Sequence, residues 1–253
     1  MFVFKNPLIV ALDVDTGEEA AGLVDGLGPY AGGFKVGMQL YYGAGPEAVR
    51  KLREKNVPFF VDLKLHDIPN TVAGAARALT RLGASILNVH AAGGGAMMRA
   101  AAEAARDEAA KAGIHRPLVV AVTVLTSIDQ EVFNQEVGIG GPIQDRVVAW
   151  ALLAREAGLD GVVASPREIA AVREVCGPDF AIITPGVRPA GAAKGDQKRT
   201  MTPGEAVRLG ATHLVVGRPV TAAPDPVEAA KTVLEEISRE HDNNNQNKYN
   251  GVK

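Results

Sequence analysis

The stretch Pro58-Phe59-Phe60-Val61-Asp62-Leu63-Lys64-Leu65-His66-Asp67 decides how the rest of the chain is read. It opens as a run of strand formers, Pro58-Phe59-Phe60-Val61, and ends in charges just before Ile68-Pro69-Asn70-Thr71, where a helix is due to start. Side chains alternate faces along a strand, so Asp62 and Lys64 are expected to point the same way. Pointing inward, they set a carboxylate and an ammonium together in a low-dielectric interior. Buried charge is costly without partners, so a strand end that carries it is read first as a place for chemistry.

Working outward, short apolar runs alternate with amphipathic segments. Strands are expected at Leu8–Val14, Phe34–Met38, Pro58–Lys64, Ser85–His90, Leu118–Leu125, Gly161–Ala164, Ala181–Thr184 and His213–Gly217. After the third of these, Val72, Ala75, Ala76, Leu79 and Leu82 recur at helical spacing. Gly83, Gly113, Gly158 and Gly210 each stand where a helix should close before the next strand. The strands are continuous in Val, Ile and Leu, as when both faces are covered, and strand–helix alternation implies a parallel sheet. Eight such units match an α/β fold, the single-domain (β/α)8 TIM barrel, over residues 1–240. An open doubly wound sheet is the alternative, but no Gly-x-Gly-x-x-Gly follows the first strand. Residues 241–253, an asparagine-rich run without apolar periodicity, are expected to form a polar, disordered tail.

Composition narrows the partners. With 27 basic and 29 acidic residues the formal net charge is −2, which gives no footing for nucleic acid or an anionic membrane. No apolar run approaches the roughly 18 residues of a bilayer span, and Leu8–Leu12 is too short for a signal peptide before Asp13 intervenes. The single cysteine, Cys176, excludes an internal disulfide framework and a thiolate metal cluster. It points to a reducing, cytoplasmic setting.

In a barrel of this kind, chemistry belongs at the C-terminal ends of the strands. Taken in order, those ends carry Asp13-Val14-Asp15, Lys35, Asp62 with Lys64 and Asp67, Thr126-Ser127, Pro185-Gly186-Val187-Arg188 and Gly217-Arg218-Pro219. Two clusters follow. Lys35, Asp62, Lys64 and Asp67 are expected to form an alternating array that favours the charged forms of its members. Gly186, Arg188, Gly217 and Arg218 follow the seventh and eighth strands, where barrels bind phosphate; glycine admits backbone N–H groups and arginine grips the oxygens. Ala190–Arg199 is long, polar and glycine-containing, and reads as a lid over that phosphate. His66 reads as a structural or supporting side chain and not as a base or metal ligand, and His90 as a packed histidine. A lone Lys or Asp at a strand end is usually a solvated loop residue, but packing alone does not explain charges on nearly every strand end of one rim.

These motifs resemble a known family. Asp62-Leu63-Lys64-Leu65-His66-Asp67-Ile68-Pro69-Asn70-Thr71-Val72 resembles the signature of the orotidine 5′-phosphate decarboxylases. Ala11-Leu12-Asp13, Thr184-Pro185-Gly186-Val187-Arg188-Pro189, Asp196-Gln197-Lys198-Arg199 and Val216-Gly217-Arg218-Pro219 are similar to that family's other blocks, in order. Magnesium-dependent sugar-phosphate decarboxylases and aldolases on the same scaffold share Asp-x-Lys-x-x-Asp but lack the His-Asp-Ile-Pro-Asn-Thr continuation. They are one alternative; a non-catalytic nucleotide-phosphate binder is another.

The resemblance implies decarboxylation of orotidine 5′-phosphate to uridine 5′-phosphate in pyrimidine synthesis, with no cofactor and no metal. It implies that Lys64 protonates C6 of the pyrimidine as carbon dioxide leaves, that Asp62 faces the substrate carboxylate, and that Lys35 and Asp67 complete the array. It implies a homodimer, because Asp67, Ile68 and Thr71 would enter the neighbouring subunit's site. Asp13 and Lys35 would hold the ribose hydroxyls, Thr126 with Ser127 would contact the pyrimidine, and Pro185 would border the substrate. Arg188, Gln197, Gly217 and Arg218 would bind the phosphate.

Overall fold

Each of the eight expected apolar runs is a strand in the computed structural model, which describes residues 4–189 and 201–250. The strands are β1 (Leu8–Ala11), β2 (Gly33–Gly37), β3 (Phe59–Leu65), β4 (Ile86–His90), β5 (Leu118–Val122), β6 (Gly161–Val163), β7 (Ala181–Pro185) and β8 (His213–Val216). All pair in parallel in sequence order, and β8 returns to β1 through Ile9 and Val215 to close the barrel. The helices among the described residues are α1 (Gly17–Leu27), α2 (Met38–Glu54), α3 (Pro69–Leu82), α4 (Gly94–Ala112) and α5 (Gln130–Gln135) in the first half. In the second half they are α6 (Ile143–Glu156), α7 (Ile169–Cys176), α8 (Pro203–Arg208), α9 (Arg218–Thr221) and α10 (Pro226–Asn250).

The continuous apolar strands are explained by two buried layers. Ile9, Ala11, Phe60, Ile86, Val120, Ile183 and Val215 pack together inside the barrel. Their strand neighbours Leu8, Val10, Phe59, Val61, Leu87, Ile182 and Leu214 pack outward against the helices. Burying side chains of this size contributes about 1.5–3 kcal/mol each.

Helix ends follow local chemistry. Thr16 and Glu19 form a capping box that starts α1 directly after the Asp13–Asp15 segment. Pro69 occupies the first turn of α3; Val72, Ala76 and Leu79 are buried, and Gly83 closes the helix at φ 93°. Gly113, Gly158 and Gly210, the other expected closers, also have positive φ.

Some boundaries differ from expectation. β1 stops at Ala11 rather than Val14, and β5 at Val122 rather than Leu125, where Val124 and Leu125 turn to wall a cavity. At the other end of the chain, α10 continues to Asn250, so much of the asparagine-rich segment expected as a disordered tail has helical backbone. Extending a helix that already exists adds one hydrogen bond per residue fixed and needs no new nucleus. The expected lid, Ala190–Arg199, lies outside the described residues; Val187 bridges to Met201 across it. Among the described residues no helix is long and apolar enough to cross a membrane.

Candidate active site

The C-terminal ends of β1 to β3 carry a continuous chain of opposite charges. Lys35, in the middle of β2, is only 9% exposed. Its Nζ donates to Asp13 Oδ1 at 3.0 Å and lies 3.6 Å from Asp62 Oδ2. Gly37 leaves room for this, since a Cβ there would stand 2.8 Å from Lys35 Nζ. Asp62 Oδ1 accepts from Lys64 Nζ at 2.7 Å and from Asn88 Nδ2 at 2.7 Å. The order along the rim is therefore Asp13, Lys35, Asp62, Lys64. Burial is the largest single influence on Asp62 and acts to raise its carboxyl. The ammonium groups of Lys35 and Lys64, with hydrogen bonds from Lys64 and Asn88, together outweigh it and hold Asp62 below the usual carboxylate range.

One expectation is corrected by this geometry. Strict strand alternation does not bring Lys64 to Asp62: β3 shifts register against β4 between Val61 and Leu65, and Lys64 has φ 52°. The backbone turn at Lys64 makes the pair. Within one chain the fourth member of the array is Asp13; Asp67, which the resemblance assigns to a neighbouring subunit's site, stands apart from it. Because β3 ends at Leu65, the following residues leave the barrel; Asp67 is exposed, its Oδ1 accepts from Ile68 N at 2.6 Å, and Ile68 and Thr71 are exposed beside it.

The remaining candidates surround the charges. Thr126 and Ser127, after β5, and Pro185, at the end of β7, line a cavity of 310 Å³ together with Lys35, Asp62 and Lys64. A larger hollow of 540 Å³ opens at the opposite end of the barrel, among Arg53, Asn56 and His115, away from this chemistry. Because β7 pairs with β8, the Gly186–Arg188 and Gly217–Arg218 turns lie side by side. Gly186 has φ 79°, a backbone conformation that favours glycine. A Cβ on Gly217 would stand 3.5 Å from Asp13 Oδ2, so this corner adjoins one end of the charge chain. Gln197 lies outside the described residues. His66, itself exposed, stacks on half-buried His90 with ring centroids 5.4 Å apart, and His90 sets its edge against Trp150 at 6.3 Å, the packed role expected of His90.

Two residues of the site were not singled out from the sequence. Ser165 is fully buried after β6 and lines the cavity. Asn88 is 1% exposed in β4 and reaches Asp62. The available signal for Asn88 was a polar residue inside the apolar run Ile86-Leu87-Asn88-Val89. Among the described residues no group of three or more His, Cys, Asp or Glu side chains is placed to hold a metal ion. Asp62 is already occupied by ammonium and amide donors.

A closed parallel barrel with a charged cavity at its C-terminal rim defines the class: this is a TIM-barrel enzyme. Residues 6–233 match the family described as Orotidine 5'-phosphate decarboxylase / HUMPS family, and the chain belongs to it. The orotidine 5'-phosphate decarboxylase of Moorella thermoacetica is 62% identical over 233 residues, 92% of each chain. That of Syntrophomonas wolfei subsp. wolfei is 52% identical over 92% of this chain and 98% of its own. The crystal structure of orotidine 5'-phosphate decarboxylase from Lactobacillus acidophilus superposes with a TM-score of 0.82 at 39% identity, covering 92% of this chain and 99% of that one.

Proposed function

We propose that this protein decarboxylates orotidine 5′-phosphate to uridine 5′-phosphate, without a cofactor, as a cytoplasmic homodimer. The observation that carries the reading is the Lys64 ammonium held at 2.7 Å on Asp62 in the wall of the 310 Å³ cavity. Breaking the C6–carboxylate bond leaves an electron pair on C6 that the ring cannot delocalise through its π system. A fixed ammonium beside C6 stabilises that pair more than it stabilises the spread charge of the substrate carboxylate. Lys64 Nζ then gives its proton to C6, carbon dioxide departs, and solvent reprotonates the amine.

Enzymes lower barriers by ~8–23 kcal/mol, more than one ion pair supplies. The phosphate contributes from a distance by fixing the nucleotide against the array; its ligands are Arg188, Gln197, Gly217 and Arg218. Asp13 and Lys35 hold the ribose, Thr126 with Ser127 contacts the base, and Pro185 borders it. The relatives' shared name supports the reaction. The exposure of Asp67, Ile68 and Thr71 at the start of α3 supports their reaching a second copy's cavity. A divalent cation at Asp62 would have to displace two ammonium groups and an amide, which speaks against the magnesium-dependent alternative.

The test is spectrophotometric. Mixed with orotidine 5′-phosphate in the presence of a chelator, the protein should convert the substrate's ultraviolet band to that of uridine 5′-phosphate. An unchanged band would overturn the reading.

A further inference from the structure

β3 does not reach Lys64 as a regular strand. Its register with β4 runs Phe60 to Ile86 and Val61 to Leu87, then resumes only at Leu65 with Val89. Four steps on β3 are thus matched by two on β4, and the surplus falls on the segment that carries Asp62 and Lys64. Such a bulge re-aims side chains, but it also removes backbone groups from the ladder. Lys64 pays in addition with a left-handed backbone, φ 52°, that L residues rarely adopt and that persists only where the surroundings impose it.

One side chain takes up the group this turn sets free. The Lys64 N–H, lost to the ladder, donates to Asn88 Oδ1 at 2.8 Å. The other end of the same amide, Nδ2, donates to Asp62 Oδ1 at 2.7 Å, the oxygen that also receives Lys64 Nζ. The network fixes which way round the amide sits, because a flipped group would set its NH2 against the Lys64 N–H and its oxygen against a carboxylate. Asn88 is 1% exposed, directly above an interior layer of Ile86, Val120 and Ile183. A buried amide among such neighbours is unfavourable unless its bonds are made, and both bonds named here end on the reacting pair.

We propose that Asn88 is the positioning residue of the Asp62–Lys64 pair: it holds the backbone turn that presents the Lys64 amine and orients the carboxylate against which that amine rests. This rests on the decarboxylase reading and deepens it. Asn88 itself touches neither C6 nor the departing carboxylate. Its effect is on where Lys64 Nζ stands, and therefore on turnover more than on nucleotide affinity.

The test compares wild type, Asn88→Ala and Asn88→Asp in steady-state decarboxylation of orotidine 5′-phosphate, with thermal unfolding run in parallel so that rates refer to folded protein. For Asn88→Ala we expect kcat to fall at least about thirtyfold, within the roughly hundredfold that a misplacement of about 1 Å can produce. KM should stay within about threefold, the pattern of an interaction made in the transition state and not in substrate binding. If Asn88→Ala does not fold, the isosteric Asn88→Asp carries the test. It keeps an acceptor for the Lys64 N–H and sets a second carboxyl against Asp62 where the amide donated, so kcat should again fall with KM retained. A folded variant with kcat within about threefold of wild type, or a loss carried by KM alone, overturns the proposal. If wild type itself leaves the substrate intact, the decarboxylase reading fails instead, so the two failures are distinguishable.

Discussion

At the floor of the barrel half-buried His213 has the edge of Phe4 at 4.8 Å and Thr212 Oγ1 at 2.9 Å from its Nδ1; at the rim half-buried Asp62 lies among Lys35, Lys64 and Asn88. Both titratable groups sit inside the same barrel, yet their charge states diverge. Burial pushes His213 down to about 4, so the ring is neutral at physiological pH. Burial opposes the charge on Asp62 too, but two ammonium groups reverse the outcome. The same low dielectric that expels a charge from the floor strengthens the pairs at the rim. The floor thus serves stability, and the rim holds preorganised charge for a reaction.

Breaking the rim should have the largest effect. Lys64→Ala removes the cation proposed to meet the C6 electron pair, and turnover should fall by ~10²–10⁴ or more while uridine 5′-phosphate still binds. Steady-state rates with an equilibrium titration check this; retention of more than about a hundredth of wild-type activity would count against the role. A mixture of Lys64→Ala and Asp67→Asn chains, each nearly inactive alone, should regain up to about a quarter of wild-type activity, because random pairing restores one complete site in each mixed dimer. No recovery would remove the shared site. Arg218→Ala should act next in size, weakening uridine 5′-phosphate binding about tenfold or more through loss of a charge-assisted hydrogen bond. Unchanged affinity in calorimetry would move the phosphate elsewhere.

The rim and the floor were not equally legible in the sequence. The eight strands were, because continuous Val, Ile and Leu runs leave few alternatives once helices alternate with them. Their ends were less so: Val124 and Leu125 continue the apolar run of β5, but they line the cavity instead of the ladder. Lys35 and Asp62 were found as charges at the strand ends of one rim. The Lys64 amine was placed beside Asp62 by an alternation argument that the bulge then interrupts. Asp67 was grouped with the array from its spacing alone, because sequence does not say where β3 stops, and only the resemblance assigned it to a neighbouring subunit. Asn88 stayed hidden, since one polar residue in an apolar strand does not declare which backbone group it must satisfy. His213 carried no warning either, because its burial depends on closure of the barrel and on Phe4 folding back beneath it.

The smallest effect on turnover, and the sharpest test of the contrast, belongs to the floor. His213→Gln keeps a polar group for Thr212 but removes the titration, so activity near neutral pH should match wild type. The difference should appear in acid. The folded ring titrates at about 4 and an unperturbed histidine at 6.5, so between these values the unfolded chain binds a proton that the native protein refuses. Stability must therefore rise with pH through that window and fall as the solution is acidified, with the full contribution present above 6.5 and lost by about 4. The gap corresponds to about 3 kcal/mol. Denaturant unfolding of both proteins across pH 4 to 7 should show wild type losing ground to His213→Gln as the pH falls. Parallel curves would mean that the ring takes up a proton in the folded state, and that the floor accommodates charge as the rim does.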